Sequence, residues 1–220
     1  MRSLFSLSFL VAACVWMAPV MSSAVVLYSS TSSPTGFGPQ LYFTTSRRAV
    51  DFETGADAST VTGLTIGLRN QDTVTRTAFA EIWSDNAGVP GALVGAFDTF
   101  QTLLAGQVGA GFSFLDAGIP LAALTKYWLV MSSGEDYTVS GNDLRLFYTL
   151  SSGDDGGNPF TSVTATAPQF SSNSGASWGN DTGYGNLVYT LTGTLDPVPE
   201  PSRALLLVAG VVVAGLRRRR

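Results

Sequence analysis

Residues 60–70 read TVTGLTIGLRN, and in that stretch Leu64, Ile66 and Leu68 fall on one parity with polar or small residues between them. A period of two places these three side chains on one face of a strand, whereas a helix would scatter them. The pattern recurs down the chain. In RTAFAEIWSD, Phe79, Glu81 and Trp83 oppose Ala78, Ala80 and Ile82; in AGFSFLD, Phe112 and Phe114 share a side. DLRLFYTL sets Leu144, Leu146, Tyr148 and Leu150 against Arg145 and Phe147, and NLVYTLTGTL places Leu187, Tyr189 and Leu191 together. KYWLVMSS, from Lys126 to Ser133, is a continuous apolar run, the mark of a central strand. Shorter candidates are Val25 to Tyr28, Leu41 to Thr44 and Val50 to Phe52, and only PLAALTKYW, residues 120–128, offers a helical turn. Eight or nine strands separated by Gly, Pro, Asn and Asp predict an all-β domain over 25–195, an antiparallel, jelly-roll-like β-sandwich with its strand order open.

Charge and two residue types narrow the chemistry. Between Val25 and Pro199 six basic residues face fifteen acidic ones, a net of −9 by subtraction, so the body repels a phosphate backbone and nucleic acid is excluded as a partner. The chain has no histidine, which removes His-based triads and His-ligated zinc. Its one cysteine, Cys14, lies near the N-terminus, so no disulfide can form within the body. Lysine occurs once, at Lys126.

Both ends depart from this body. Arg2 precedes a mostly apolar stretch from Leu4 to Val20, followed by Ser22, Ser23 and Ala24, the pattern of a secretory signal peptide over 1–24 cut by signal peptidase between Ala24 and Val25. A first transmembrane helix, or lipidation at Cys14 in the lipobox-like Val11-Ala12-Ala13-Cys14, are the alternatives, and both also imply export. At the other end Ala204 to Leu216 is apolar or small throughout, about 20 Å as a helix, short of the roughly twenty residues a bilayer core takes. Snorkelling of Arg203 and Arg217 lengthens its reach, and Arg217, Arg218, Arg219 and Arg220 hold the extreme end in the cytoplasm. Pro197, Pro199 and Pro201 keep Asp196 to Pro201 extended, a shape a protease can grip.

The constellation Val198-Pro199-Glu200-Pro201-Ser202, then a transmembrane segment over 204–216, then the arginine cluster, resembles the PEP-CTERM sorting signal of Gram-negative bacteria. The resemblance covers 196–220 and implies an exosortase that cuts near the motif, with transient inner-membrane retention before release to the envelope or the medium. A plain tail anchor is the competing reading. A second resemblance lies in the body: a strand ending in Asp85, Gly88, Pro90 and Gly91, then Tyr127, Trp128 and Leu129, then Trp178 before a last strand look like the choice-of-anchor R domain family. That resemblance spans roughly residues 60–195, is loose in the middle, and implies a secreted β-rich domain with no established enzymatic activity.

The candidates for chemistry are few. Glu135-Asp136 and Asp154-Asp155 are adjacent carboxylates, but neighbours on a strand point to opposite faces, so neither forms a glycosidase dyad by adjacency. Asp154, Asp155 and Asn158 on one loop, and Asp85 with Asn86 on another, are weak calcium candidates without an EF-hand spacing. Trp83 and Trp128, among apolar neighbours, are expected in the core. Trp178 lies in the Gly/Ser/Asn-rich SNSGASWGNDTGYGN and is the candidate glycan contact, with Tyr184 beside it and Tyr137 and Tyr189 as further companions. The sequence therefore predicts a secreted, non-enzymatic surface or matrix protein without cofactors, whose partners are signal peptidase, exosortase, the membrane and an exopolysaccharide. The alternative is a carbohydrate-binding module using Trp178. A hydrolase ranks third.

Overall fold

The computed structural model describes residues 24–29, 36–41, 45–134, 144–148, 160, 168–181 and 187–196 of the chain. Residues 1–23 of the proposed signal peptide, 197–220 of the sorting segment, Tyr137, Tyr184 and the Glu135-Asp136 and Asp154-Asp155 pairs lie outside them, as does Asn158. Every regular element among the described residues is a strand: β1 (Val25–Ser29), β2 (Gly36–Leu41), β3 (Arg47–Glu53), β4 (Ser59–Asn70), β5 (Arg76–Asn86), β6 (Val89–Ala96), β7 (Gln101–Leu103), β8 (Val108–Leu121), β9 (Lys126–Ser133), β10 (Leu144–Tyr148), β11 (Gln169–Ser171), β12 (Gly179–Asn180) and β13 (Tyr189–Leu195). The all-β expectation is therefore met.

All pairings are antiparallel and divide into two sheets. In the first, β4 carries β13 and β10 along one edge and the long β8 along the other, with β1 outside β13 and β2 outside β10. In the second the order is β12-β11-β3-β9-β5-β6, and β7 follows β6 on the same edge of β5. One apolar cluster draws on both sheets: Leu64, Ile66, Leu68, Phe114 and Leu191 from the first, Val50, Phe52, Ala78, Ala80, Ile82, Leu129 and Met131 from the second. Phe52 stacks on Phe160 at 5.6 Å and on Tyr127 at 6.0 Å within it. With no cysteine in the body, this burial is the main term opposing the chain entropy, at about 1.5–3 kcal/mol per large side chain.

The parity reading of the sequence holds in β5, where Ala78, Ala80 and Ile82 are buried and Phe79 is 39% exposed. In β4 it holds from Leu64 to Leu68 and reverses on the N-terminal side of Gly63. The ladders with β8 and β13 both step from Gly63 to Val61, leaving Thr62 as an extra residue, so Val61 is buried on odd parity while Leu64, Ile66 and Leu68 are buried on even. Of the strand expected at Leu41 to Thr44, Leu41 is the last residue of β2, which begins at Gly36, and 42–44 lie outside the described residues. Two further expectations shift. The 120–128 segment is no helix: β8 continues through Leu121, a turn passes Leu124 at φ 48°, and β9 starts at Lys126. Strands β6, β7, β11 and β12 had no counterpart in the sequence reading.

The edges are joined by side chains. After β6, Phe97 enters the core 6.4 Å from Phe114, and Thr99 Oγ1 accepts from Leu115 N at 2.7 Å on β8 before the chain returns to β5 as β7. The wholly buried Asn70 amide donates to the carbonyls of Val74, Leu103 and Leu104 at 2.8–3.0 Å and accepts from Asp72 N at 2.9 Å. One polar side chain thus satisfies the backbone where β4, β5 and β7 meet.

Candidate functional site

The outer face of the second sheet carries the site. On β9 the inner residues Tyr127, Leu129 and Met131 alternate with Lys126, Trp128 and Val130, which face away from the main core. Antiparallel register sets Trp128 opposite Trp83 on β5 and opposite Asp51 on β3, and sets Val130 opposite Glu81 and Ala49. Ala49, Trp128 and Val130 are buried here in a second small cluster against which Trp83 and Trp178 pack. Trp128 is fully buried, as expected, although on this outer face. Trp83, also expected in the core, lies on the same outer face and is only partly buried.

Charged groups ring the cluster. Lys126 Nζ lies 2.7 Å from Asp51 Oδ2, 3.8 Å from Asp85 Oδ1 and 5.0 Å from the centre of the Trp128 ring. Trp128 Nε1 donates to Asp85 Oδ1 at 2.8 Å. On the far side of Trp83, its Nε1 donates to Glu81 Oε2 at 2.9 Å, and Arg47 sits over the ring at 5.9 Å while pairing with Glu81 at 3.9 Å. Asp51 and Asp85 thus converge on one ammonium, which neutralises part of their charge and occupies the space between them.

Two connections build a cleft above this layer. The β5–β6 hairpin turns at Ala87 and Gly88, both at positive φ (54° and 91°), the two-residue turn whose twist suits antiparallel strands. Asp85 Oδ2 accepts from Gly88 N at 3.2 Å and Ser84 Oγ from Ala92 N at 3.0 Å. A Cβ on Gly91 would meet Asn86 Cβ at 2.9 Å, so the hairpin closes only around a glycine there. The second connection, residues 171–178, is tied by Ser171 Oγ, which accepts from Gly175 N at 2.9 Å, and by Asn173, which accepts from Ser177 N at 3.0 Å and donates to Ser177 Oγ at 2.9 Å. Gly175, at φ 88°, lies so close to Trp83 that a Cβ would meet the indole at 2.7 Å. Trp178 meets Trp83 edge to face at 5.9 Å, and its buried Nε1 has no hydrogen-bond partner among the described residues.

Between these connections is an open cleft of ≈580 Å³, lined on the hairpin side by Ser84, Asp85, Asn86 and Pro90 and on the loop side by Ser177 and Trp178. Trp178, singled out from the sequence, is therefore neither free in solvent nor part of the main core. Tyr189 is corrected as a glycan companion: it is 3% exposed and stacked on Tyr28 at 4.6 Å in the core. Asp85 and Asn86, considered for calcium, do lie together, but Asp85 is held by Trp128, Gly88 and Lys126. Among the described residues no group of three His, Cys, Asp or Glu could hold a metal, and no helix is long and apolar enough to cross a membrane. The Asp51–Lys126–Asp85 cluster was missed by the sequence reading; its only local signal is a lone lysine opening an apolar run, and register is needed to bring the aspartates to it.

Fold and site together define an all-β protein with two antiparallel sheets and an aromatic-lined cleft on one outer face. No protein-family model matches this chain, and no curated protein matches it either.

Proposed function

We propose that this chain is the precursor of an exported, non-enzymatic protein of the cell surface or extracellular matrix. Signal peptidase removes residues 1–24, the body 25–195 forms a jelly-roll-like antiparallel sandwich, and an exosortase processes the C-terminal signal after transient retention in the inner membrane. The observation that carries this reading is the joint occurrence of Val198-Pro199-Glu200-Pro201-Ser202, the short apolar run 204–216 and Arg217 to Arg220 in that order. Two features of the body support it. β1 begins at Val25, and the last described backbone bond, Asp196 N to Ala58 O at 2.8 Å, ties the chain down just before Pro197. A cut on either side of these points removes nothing that pairs with the described sheets.

The test is intact-mass and terminal-peptide analysis of the protein from the envelope and medium of its source organism. A mature form that starts at Val25 and ends near the prolines is expected. A form that keeps Arg217 to Arg220 and occurs only in membranes makes the segment a plain tail anchor and overturns the sorting reading.

A further inference from the structure

We propose that the cleft between the β5–β6 hairpin and the 171–178 loop binds a neutral, hydroxyl-rich ligand of the hexose-oligosaccharide class, with Trp178 as its apolar contact and Asn86 and Asp85 as its principal hydrogen-bonding groups. This inference is independent of how the termini are processed.

The chemistry of the lining carries it. The exposed Asn86 amide has no side-chain partner among the described residues, leaving two donors and an acceptor facing solvent at the cleft. Asp85 Oδ1 faces Trp128 Nε1 and the Lys126 ammonium, whereas Oδ2 accepts only from Gly88 N and keeps a further lone pair for a ligand. Ser84 Oγ and Ser177 Oγ each accept a bond from the protein, from Ala92 N and Asn173 Nδ2, which leaves their hydroxyl protons to donate. Donors and acceptors are thus interleaved, as a polyol requires, since each of its hydroxyls both donates and accepts. Trp178, Val89 and Pro90 supply apolar surface for the C–H groups of a sugar ring.

The same lining excludes other classes. Among the described residues no arginine or lysine lines the cleft, Asp85 does, and residues 25–199 carry a net −9, so an anionic polymer is repelled. A cation meets the Lys126 ammonium 3.8 Å from Asp85. The groups are also set before a ligand arrives: Asp85 by three contacts, Ser84 by the hairpin, and the Trp178 loop by Ser171, Asn173 and the packing of Gly175 on Trp83. Little ordering entropy then remains to oppose binding.

Calorimetric titration of the full chain in detergent with maltohexaose, cellohexaose and laminarihexaose, and with oligogalacturonate as the anionic comparator, tests this. At least one neutral hexaose is expected to bind and oligogalacturonate is not. Asn86→Ala, an exposed change that leaves the melting temperature in place, is expected to weaken binding about fivefold or more, and Trp178→Ala to abolish it. Absence of binding by every neutral hexaose overturns the proposal. So does binding that Asn86→Ala leaves unchanged, or binding of oligogalacturonate alone.

Discussion

Replacing Trp128 with phenylalanine puts a number on the layer beneath the cleft. The indole is fully buried and its Nε1 donates to Asp85 Oδ1 at 2.8 Å, so the change removes two things at once. A hydrogen bond to a charged acceptor contributes about 1.5–3 kcal/mol. The smaller ring leaves a void against Ala49, Val130 and Trp83, which adds about 1–2 kcal/mol. The nearby Lys126–Asp85 pair, at 3.8 Å and with both side chains more than a fifth exposed, contributes at most about 1 kcal/mol and cannot make good the loss. The expected cost is therefore about 2.5–5 kcal/mol, a large share of a typical domain stability of about 5–15 kcal/mol. Urea unfolding followed by far-ultraviolet circular dichroism measures it without relying on tryptophan emission, with an unchanged m value as the condition for reading the midpoint as stability. A double-mutant cycle with Asp85→Ala separates the two terms, and a coupling of about 1–2 kcal/mol is expected. A cost below about 1 kcal/mol, or strict additivity with Asp85→Ala, refutes the claim that Trp128 braces the carboxylate of the cleft.

Gly193→Ala places a Cβ against Thr60 O and 2.7 Å from Leu27 Cδ1, where the first obstacle is backbone, so this variant is expected to lose about 3 kcal/mol or more in the same urea assay. Gly179→Ala meets nothing within 4 Å and is expected to stay within about 0.5 kcal/mol of the parent; equal effects at the two sites contradict the packing argument. Burial raises the Asp72 pKa, but hydrogen bonds from Arg76 Nε at 2.7 Å and Thr73 N at 2.6 Å, with the guanidinium charge, outweigh it and hold the carboxyl below its ordinary 3.8. A depressed carboxyl stabilises fully above its unfolded value and loses that contribution as pH falls through its folded value, so the urea midpoint of the parent should fall below about pH 4 more steeply than that of Asp72→Asn. Parallel pH profiles remove Asp72 as the cause.

Parity was legible wherever a strand ran without interruption. Ala78, Ala80 and Ile82 could be assigned inward, and Phe79 outward, because β5 keeps its alternation through those residues. Val61 could not, since one extra residue at Thr62 reverses the faces and leaves no mark in composition. β6 escaped notice for another reason: Val89-Pro90-Gly91 opens it and Gly95 interrupts it, a composition that reads as a loop and that a sheet tolerates at its edge. There Gly95 is required by contact, since a Cβ would meet Ile119 Cγ2 of β8 at 2.8 Å. β7, β11 and β12 are too short for any period to show.

The cleft was half legible. Trp178 stood out because an aromatic in a Gly/Ser/Asn stretch has no local reason to be there, but Asp85 and Asn86 could be joined to it only by register across β5, β9 and β3. One clue in the sequence did point further. KYWLVMSS has no polar alternate residue until Ser132, and such a run needs cover on both faces of its sheet. In the fold every residue of β9 after Lys126 is buried, with the main core beneath Leu129 and Met131 and the tryptophan cluster over Trp128 and Val130. The loop that carries Trp178 therefore covers the second apolar face of a central strand. Its stability is set by the sheet below it and not by the loop alone, so a change at Trp128, which lines no part of the cleft, is expected to be felt at Asp85 and Trp178, which do.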